Sequence, residues 1–333
     1  MVFFQALFNP KSMLTHTAGV TTMLRFLPGP VRGAVALMLY TVNTIGCFVT
    51  MTPFILLKVI AFHEVTRNYL TVILMRLGTA WITLNSMILR ITQNMAITVA
   101  FEEGEGFENL STRASYLVIS NHQSWADILI LQHVFNRRIP FLKFFLKRGL
   151  IRVPLLGIAW WALDFPFMMR YSKEYLEKHP EQKGKDIETT RRYCRKFKHS
   201  PISVINFLEG TRFEPEKHEK QQSPFHNLLR PRAGGIGIVL SGMGEQLTKI
   251  IDVTIVYPDN DPPIPFWIFL KGKIPAAVVH IRTRPIPSRF AGKNYDTDDV
   301  FKKDFQDWIN GIWEEKDEQI AAIRKQWKDA EKP

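Results

Sequence analysis

The chain has 333 residues, 46% hydrophobic and 22% charged, with 43 Lys and Arg against 31 Asp and Glu for a net charge of +12. This composition excludes a disordered, collagen-like or low-complexity chain, and the length suits one large domain with added elements or two smaller domains. Only Cys47 and Cys194 occur, which excludes a disulfide framework and a Cys/His zinc site and suggests a chain that faces the cytoplasm.

Residues 1–32 carry Lys11, Arg25 and Arg32 as their only charges, and Gly33 to Leu57 then runs 25 residues without one. That length can cross a hydrocarbon core of about 30 Å. It is too long, and starts too late, for a secretory signal. Pro53 allows a break within it, so a re-entrant pair is also open. A second apolar stretch, Tyr69 to Ile91, carries Arg76, Asn85, Ser86 and Arg90. It can return across a bilayer or lie in the interface as an amphipathic helix. Residues 1–94 are therefore expected to be membrane-associated helices, and 95–333 a separate α/β domain.

From Ile97 the pattern changes. Ile97–Phe101 reads as a strand and Glu102–Gly106 as a turn. Further strands are expected at Tyr116–Ile119, Phe165–Met169, Ser203–Leu208, Ile250–Tyr257 and Ala277–Thr283. Helices are expected at Ile128–Phe135 and Asp186–Lys198. Such alternation predicts an α/β fold with a mostly parallel central sheet flanked by helices. Glu214–Ser223 reads as an exposed charged loop. Asp298–Ala330, with Phe301, Phe305, Trp308, Ile309, Ile312 and Trp313 at helical spacing, reads as a helix packed on the domain.

Between Arg137 and Arg232, 21 basic residues stand against 10 acidic ones, so +11 of the net charge lies there. A basic domain wants an anionic partner: nucleic acid, a phospholipid surface or a phosphorylated substrate. The strand Tyr116–Ile119 empties into Ser120-Asn121-His122-Gln123-Ser124-Trp125-Ala126-Asp127, and an apolar helix restarts at Ile128. Five positions along a continuous helix would turn His122 and Asp127 about 140° apart. They meet only if His122 lies in the entry loop and Asp127 in the first helical turn. A carboxylate on one imidazole nitrogen fixes the tautomer and leaves the other nitrogen as a base. No Ser or Cys sits in a nucleophile elbow, so the pair would activate a substrate hydroxyl. On spacing alone, a histidine that caps a helix or is satisfied in the core is the preferred reading.

Glu209-Gly210-Thr211-Arg212 follows a second strand, with a glycine that admits close backbone approach and an arginine fork suited to phosphate. Arg170 closes a third strand, and three polar sites at three strand ends suggest one shared anion site. Gly234-Gly235-Ile236-Gly237 lacks a nucleotide-loop fingerprint and is better read as close helix packing. Trp160, Trp161, Phe165 and Phe167 stand in apolar text that suits core packing or an acyl-chain groove rather than base stacking.

The segment Asn121–Asp127 resembles the NH(Q/R)SxxD first motif of the glycerolipid acyltransferases, a family that includes PlsC-like 1-acyl-sn-glycerol-3-phosphate acyltransferases. Glu209–Arg212 resembles their EGTR motif, Arg170 falls where the second motif places its arginine, and Val253–Pro258 is similar to the fourth. The flanking Ala162–Ser172 looks closest to the bacterial YihG-like subgroup. Leu208 replaces a usual proline, Met169 a frequent acid, and Pro258 sits late.

The resemblance implies acyl transfer from acyl-CoA or acyl carrier protein to a lysophospholipid hydroxyl, 1-acyl-sn-glycerol-3-phosphate first. It implies His122 as base, Asp127 as its orienter, and Arg170, Thr211 and Arg212 on the acceptor phosphate, with Glu209 and Gly210 shaping the turn. It also implies no metal, no cofactor beyond the acyl co-substrate, and no nucleic-acid partner. The expected site of action is the bacterial inner membrane, with the catalytic domain on its cytoplasmic side. Acylation of glycerol 3-phosphate, another lysophospholipid or a lipid A precursor stays open, as does a non-enzymatic basic binding protein.

Overall fold

A computed structural model describes residues 24–168, 201–244, 246–291 and 299–330, together with 178, 179, 188 and 193. Two long helices come first, α1 (Gly29–Ile60) and α2 (Glu64–Thr92). Pro30 opens α1 near its first turn, where its missing N–H costs nothing. Pro53 sits inside α1 without dividing it. The two form an antiparallel hairpin in which the Asn43 amide donates to Asn85 Oδ1 at 2.8 Å.

The α/β part contains β1 (Ala96–Phe101), β2 (Ser115–Ser120), α3 (Ala126–Phe135), β3 (Leu142–Phe144), β4 (Leu146–Lys147), α4 (Leu156–Ala162) and β5 (Phe167–Met168). It continues with β6 (Ser203–Phe207), α5 (Pro215–Gln221), α6 (Gly234–Met243), β7 (Leu247–Val256), α7 (Phe266–Leu270), β8 (Ala276–Arg284) and α8 (Asp299–Ala330). The central sheet has the order β1-β8-β7-β2-β6-β3. Every pairing is parallel except β7 with β8. The expected α/β class with a mostly parallel central sheet is what the chain adopts.

Strand periodicity divides the core between two faces. Tyr116 and Val118 of β2 point into the cluster that holds α3, while Leu117 and Ile119 point into the cluster that holds α6 and α8. Helices on both faces explain why β2 is apolar throughout rather than alternating. Gly235 of α6 lies so close to β6 that a Cβ there would meet the Asn206 amide at 2.6 Å. The glycine run is thus helix packing.

Two expectations are corrected. The strand expected at Phe165–Met169 is reduced to β5, which pairs with β4 in a separate two-stranded sheet and not in the central one. Arg170 lies outside the described residues, as does the helix expected at Asp186–Lys198 apart from residues 188 and 193, both helical. Glu214–Ser223 holds helix α5, which Pro215 at its first position starts and the Glu214–Lys217 ion pair (2.9 Å) supports.

The helix α8 is held by more than apolar contact. Lys316 is buried and its Nζ donates to Asp252 Oδ1 (2.6 Å), the Val253 carbonyl (2.7 Å) and Thr254 Oγ1 (3.0 Å). Asp252 also accepts from Arg284 Nε at 2.9 Å. Removing one partner of a buried pair strands the other charge, so Lys316→Met is expected to cost about 3 kcal/mol or more in urea unfolding. A loss within the range of an ordinary surface substitution would show that the pair does not anchor α8.

Candidate active site

The parallel register sets Ser120 of β2 beside Phe207 of β6 and Val253 of β7, so three chain segments leave the sheet side by side at β2. Asn121 extends β2 with its side chain in place of backbone. Its Oδ1 accepts from the Ile255 N–H and its Nδ2 donates to the Ile255 carbonyl, both at 2.9 Å. His122 is the next residue, its ring stacked on Phe207 with centroids 4.0 Å apart. Asp127 is the second residue of α3. Loop and first turn thus bring together the two residues that sequence spacing pairs.

Asp127 is fully buried, and among the described residues no Lys or Arg pairs with it; four hydrogen bonds surround it instead. Oδ2 accepts from His122 Nδ1 (2.8 Å) and from the backbone N–H groups of Gln123 (2.7 Å) and Ser124 (2.9 Å). Oδ1 accepts from the Tyr257 hydroxyl at 2.5 Å. An ionised carboxylate only accepts, so His122 Nδ1 carries the proton and Nε2 holds the lone pair. Among the described residues no hydrogen bond to Nε2 is made. The arrangement can therefore take a proton at Nε2 while Asp127 stabilises the resulting imidazolium.

Glu209 clamps the two loops together. Its Oε1 accepts from the His122 N–H (2.7 Å) and its Oε2 from the Leu229 N–H (2.9 Å). The Phe213 N–H donates to the His122 carbonyl at 2.8 Å. Burial pushes the Glu209 carboxyl up to about 8; the two N–H donors oppose that rise and the nearby Asp127 charge adds to it. Gly210 has φ +68°, a left-handed conformation in which a side chain would press on Arg232. Thr211 Oγ1 accepts from Lys217 Nζ at 3.0 Å. The Arg212 guanidinium lies over the Trp125 ring, 4.9 Å from its centre, and 3.9 Å from Glu214.

So His122, Asp127, Glu209, Gly210, Thr211 and Arg212 form one site, while Arg170 lies outside the described residues. Sequence reading missed Tyr257, Phe207, Trp125, Lys217 and Arg232. Tyr257 had a signal: it ends a strand candidate, in the position that made His122 and Glu209 stand out. Burial and the Asp127 charge hold its phenol well above its ordinary range, which keeps it a donor. Among the described residues no group of three or more His, Cys, Asp or Glu could hold a metal ion.

Residues 102–257 match the sequence model of the family described as Acyltransferase. The chain is 24% identical over 263 residues to lysocardiolipin acyltransferase 1 of Mus musculus, covering 74% of this chain and 63% of that one. It is 25% identical over 291 residues to the 2-acyl-1-lysophosphatidylinositol acyltransferase of Saccharomyces cerevisiae, covering 71% of each. It is also similar to the crystal structure of the 1-acyl-sn-glycerophosphate acyltransferase PlsC from Thermotoga maritima, at 15% identity and a TM-score of 0.44, covering 86% of this chain and 98% of that one. The chain spans under two thirds of the length of the mouse lysocardiolipin acyltransferase. The matched family model and the named relatives are all acyltransferases, and the two relatives named act on lysophospholipids by their names. Those relatives are eukaryotic and do not bear out a bacterial YihG-like subgroup.

The Glu209 carboxyl titrates higher in the folded chain than its ordinary 4.5. Between 4.5 and about 8 the folded state therefore holds a proton that the unfolded chain has shed, and stability falls as pH rises through that window. Glu209→Gln, which copies the neutral carboxyl, is expected to flatten that part of the melting temperature's pH dependence. An unchanged slope would show that Glu209 is ionised throughout.

Proposed function

We propose that this chain is a membrane-bound O-acyltransferase that moves a fatty acyl group from acyl-CoA or acyl carrier protein to the free hydroxyl of a lysophospholipid. The observation that carries the reading is the His122–Asp127 pair, with Nδ1 committed at 2.8 Å and Nε2 open. Nε2 takes the hydroxyl proton as the oxygen attacks the thioester carbonyl. The C–S bond then breaks, and the thiolate leaves with the proton that the imidazolium returns. The first acceptor to test is 1-acyl-sn-glycerol-3-phosphate, which would give phosphatidic acid. A second reading, another lysophospholipid acceptor, is favoured by the names of the mouse and yeast relatives, which specify lysocardiolipin and lysophosphatidylinositol.

The acceptor phosphate is assigned to Thr211 and Arg212, with Arg170 as a further ligand. Lys217 lies on Thr211, and Arg232 borders Gly210. These cations supply the field an anionic lipid or the phosphates of CoA would follow.

Two helices are long and apolar enough to cross a membrane by length and composition. Contacts of α1 favour a different posture, with α1 and α2 lying in the membrane interface and the α/β part resting on them. Gly33 meets Trp267 and Lys271 near one end of α1, and Lys58 pairs with Asp164 at 2.8 Å near the other. Those points are 25 residues apart, about 37 Å along the axis. A helix upright in a bilayer and in contact with the domain at both points would draw polar domain surface into lipid. Lying flat, α1 keeps its outer face, with Leu37, Met38, Val42, Ile45 and Val49, for lipid. Placement at a bacterial inner membrane, facing the cytoplasm, rests on the resemblance of Ala162–Ser172 alone.

The test is the full-length protein in membranes with labelled acyl-CoA and a panel of lysolipids. His122→Ala is expected to abolish transfer while folding and membrane binding persist; retained turnover would sink the mechanism. Tyr257→Phe removes one charge-assisted hydrogen bond and is expected to lower kcat about tenfold or more. For Arg212→Ala the expected change is a higher KM for phosphate-bearing acceptors, and an unchanged KM would count against the phosphate assignment.

A further inference from the structure

Outside the active site, the exposed surface around α4 is built differently from the rest of the domain. A short 3-10 turn, Arg148–Arg152, precedes α4 and packs tightly on it. A Cβ on Gly157 would lie 2.1 Å from the Ile151 carbonyl oxygen, so the turn and the helix sit in backbone contact. The inner face of α4 is small and buried, with Gly157, Ala159 and Ala162. Its outer face carries Ile158, 47% exposed, and Trp161, 41% exposed, with Ile151 at 40% on the adjoining turn. Arg148 and Arg152 are exposed at the two ends of that turn. A soluble domain gains nothing from a tryptophan and two isoleucines kept in water, and a cluster of this kind marks an interaction surface.

Two features say what covers it. The first is continuity. The buried face of α4 shares a cluster with Met51 and Ile55 of α1, and the Ala162 carbonyl accepts from Lys58 Nζ at 2.7 Å. Next to those residues α1 exposes Leu56, Leu57, Val59 and Ile60. The apolar surface of α4 therefore borders the apolar face of α1. The second is composition. An exposed Trp with aliphatics, flanked by Arg, matches the layer between lipid headgroups and acyl chains, and the arginines select for anionic headgroups.

We propose that Arg148–Trp161 is a second membrane-contact surface, which seats against an anionic phospholipid bilayer beside the C-terminal half of α1. This rests on the reading of the chain as a membrane-bound acyltransferase and adds to it. The surface joins the active site along the chain. Phe144, four residues before Arg148, stacks at 6.1 Å on Phe207, which stacks on His122. Seating this segment in lipid would set the aromatic side of His122 toward the acyl chains.

The test uses the full-length protein with phosphatidylcholine vesicles, with and without phosphatidylglycerol. Lipids brominated near the headgroup are expected to quench Trp161, seen as less quenching in Trp161→Phe than in the unaltered chain, and more so with phosphatidylglycerol present. Equal quenching of the two proteins would overturn the proposal. The double variant Ile158→Asp with Trp161→Asp alters only exposed positions and is expected to melt like the unaltered chain. Its transfer to a vesicle-borne long-chain lysolipid is expected to fall about tenfold, the scale of losing one or two buried apolar side chains. Transfer to a short-chain lysolipid dissolved as monomer should stay unchanged. Equal loss on both acceptors, or none on either, would overturn the surface. An unaltered chain that is quenched but transfers to neither acceptor would overturn the acyltransferase reading and leave the surface standing.

Discussion

One buried carboxylate governs the site. Asp127 has no solvent and, among the described residues, no Lys or Arg beside it, and a lone charge in that position would cost several kcal/mol. It is tolerated because four donors converge on it: the His122 ring, two N–H groups of its own loop and the Tyr257 hydroxyl. Each donor fixes something else in turn. The N–H pair closes the loop into α3, the imidazole is locked in one tautomer, and the end of β7 is tied to the start of α3. Glu209 is the second buried acid, and its raised titration follows from the same constraint. Burial raises it most, and the nearby Asp127 charge adds to the rise.

The sheet makes this convergence possible. Parallel pairing of β2 with both β6 and β7 sends three chain segments out of the same edge, so residues 121–127, 208–213 and 255–257 reach one another without long side chains. The Asn121 amide repeats the backbone pattern one residue past the strand, which holds β7 straight long enough to deliver Tyr257. An asparagine that pairs with both groups of Ile255 has a structural reason to be there, independent of any contact with substrate.

What sequence could supply follows from how local each fact is. The apolar run of β2, its polar exit and the restart of α3 lie within twenty residues, and so the His122–Asp127 geometry was legible. The turn at Glu209 was legible for the same reason. Tyr257 reaches Asp127 across 130 residues, through a strand order that no local pattern encodes. The antiparallel turn of β8 against β7 is hidden likewise, because a buried strand reads the same in either direction. The strand at 165–169 was misplaced since apolar text does not say which sheet it joins. Helix α5 escaped because it has no apolar stripe to bury, and it is set by Pro215 and a local ion pair instead.

The surroundings of His122 are of two kinds. Its ring stacks on Phe207, which stacks in turn with Phe144. Its ring also meets the edge of Trp125, whose face carries Arg212, with Thr211 and Lys217 paired close by in sequence. Aromatic and cationic side chains thus both stand near one imidazole, and the proposed lysophospholipid acceptor carries matching parts, an acyl chain, a free hydroxyl and a phosphate, within a few bonds.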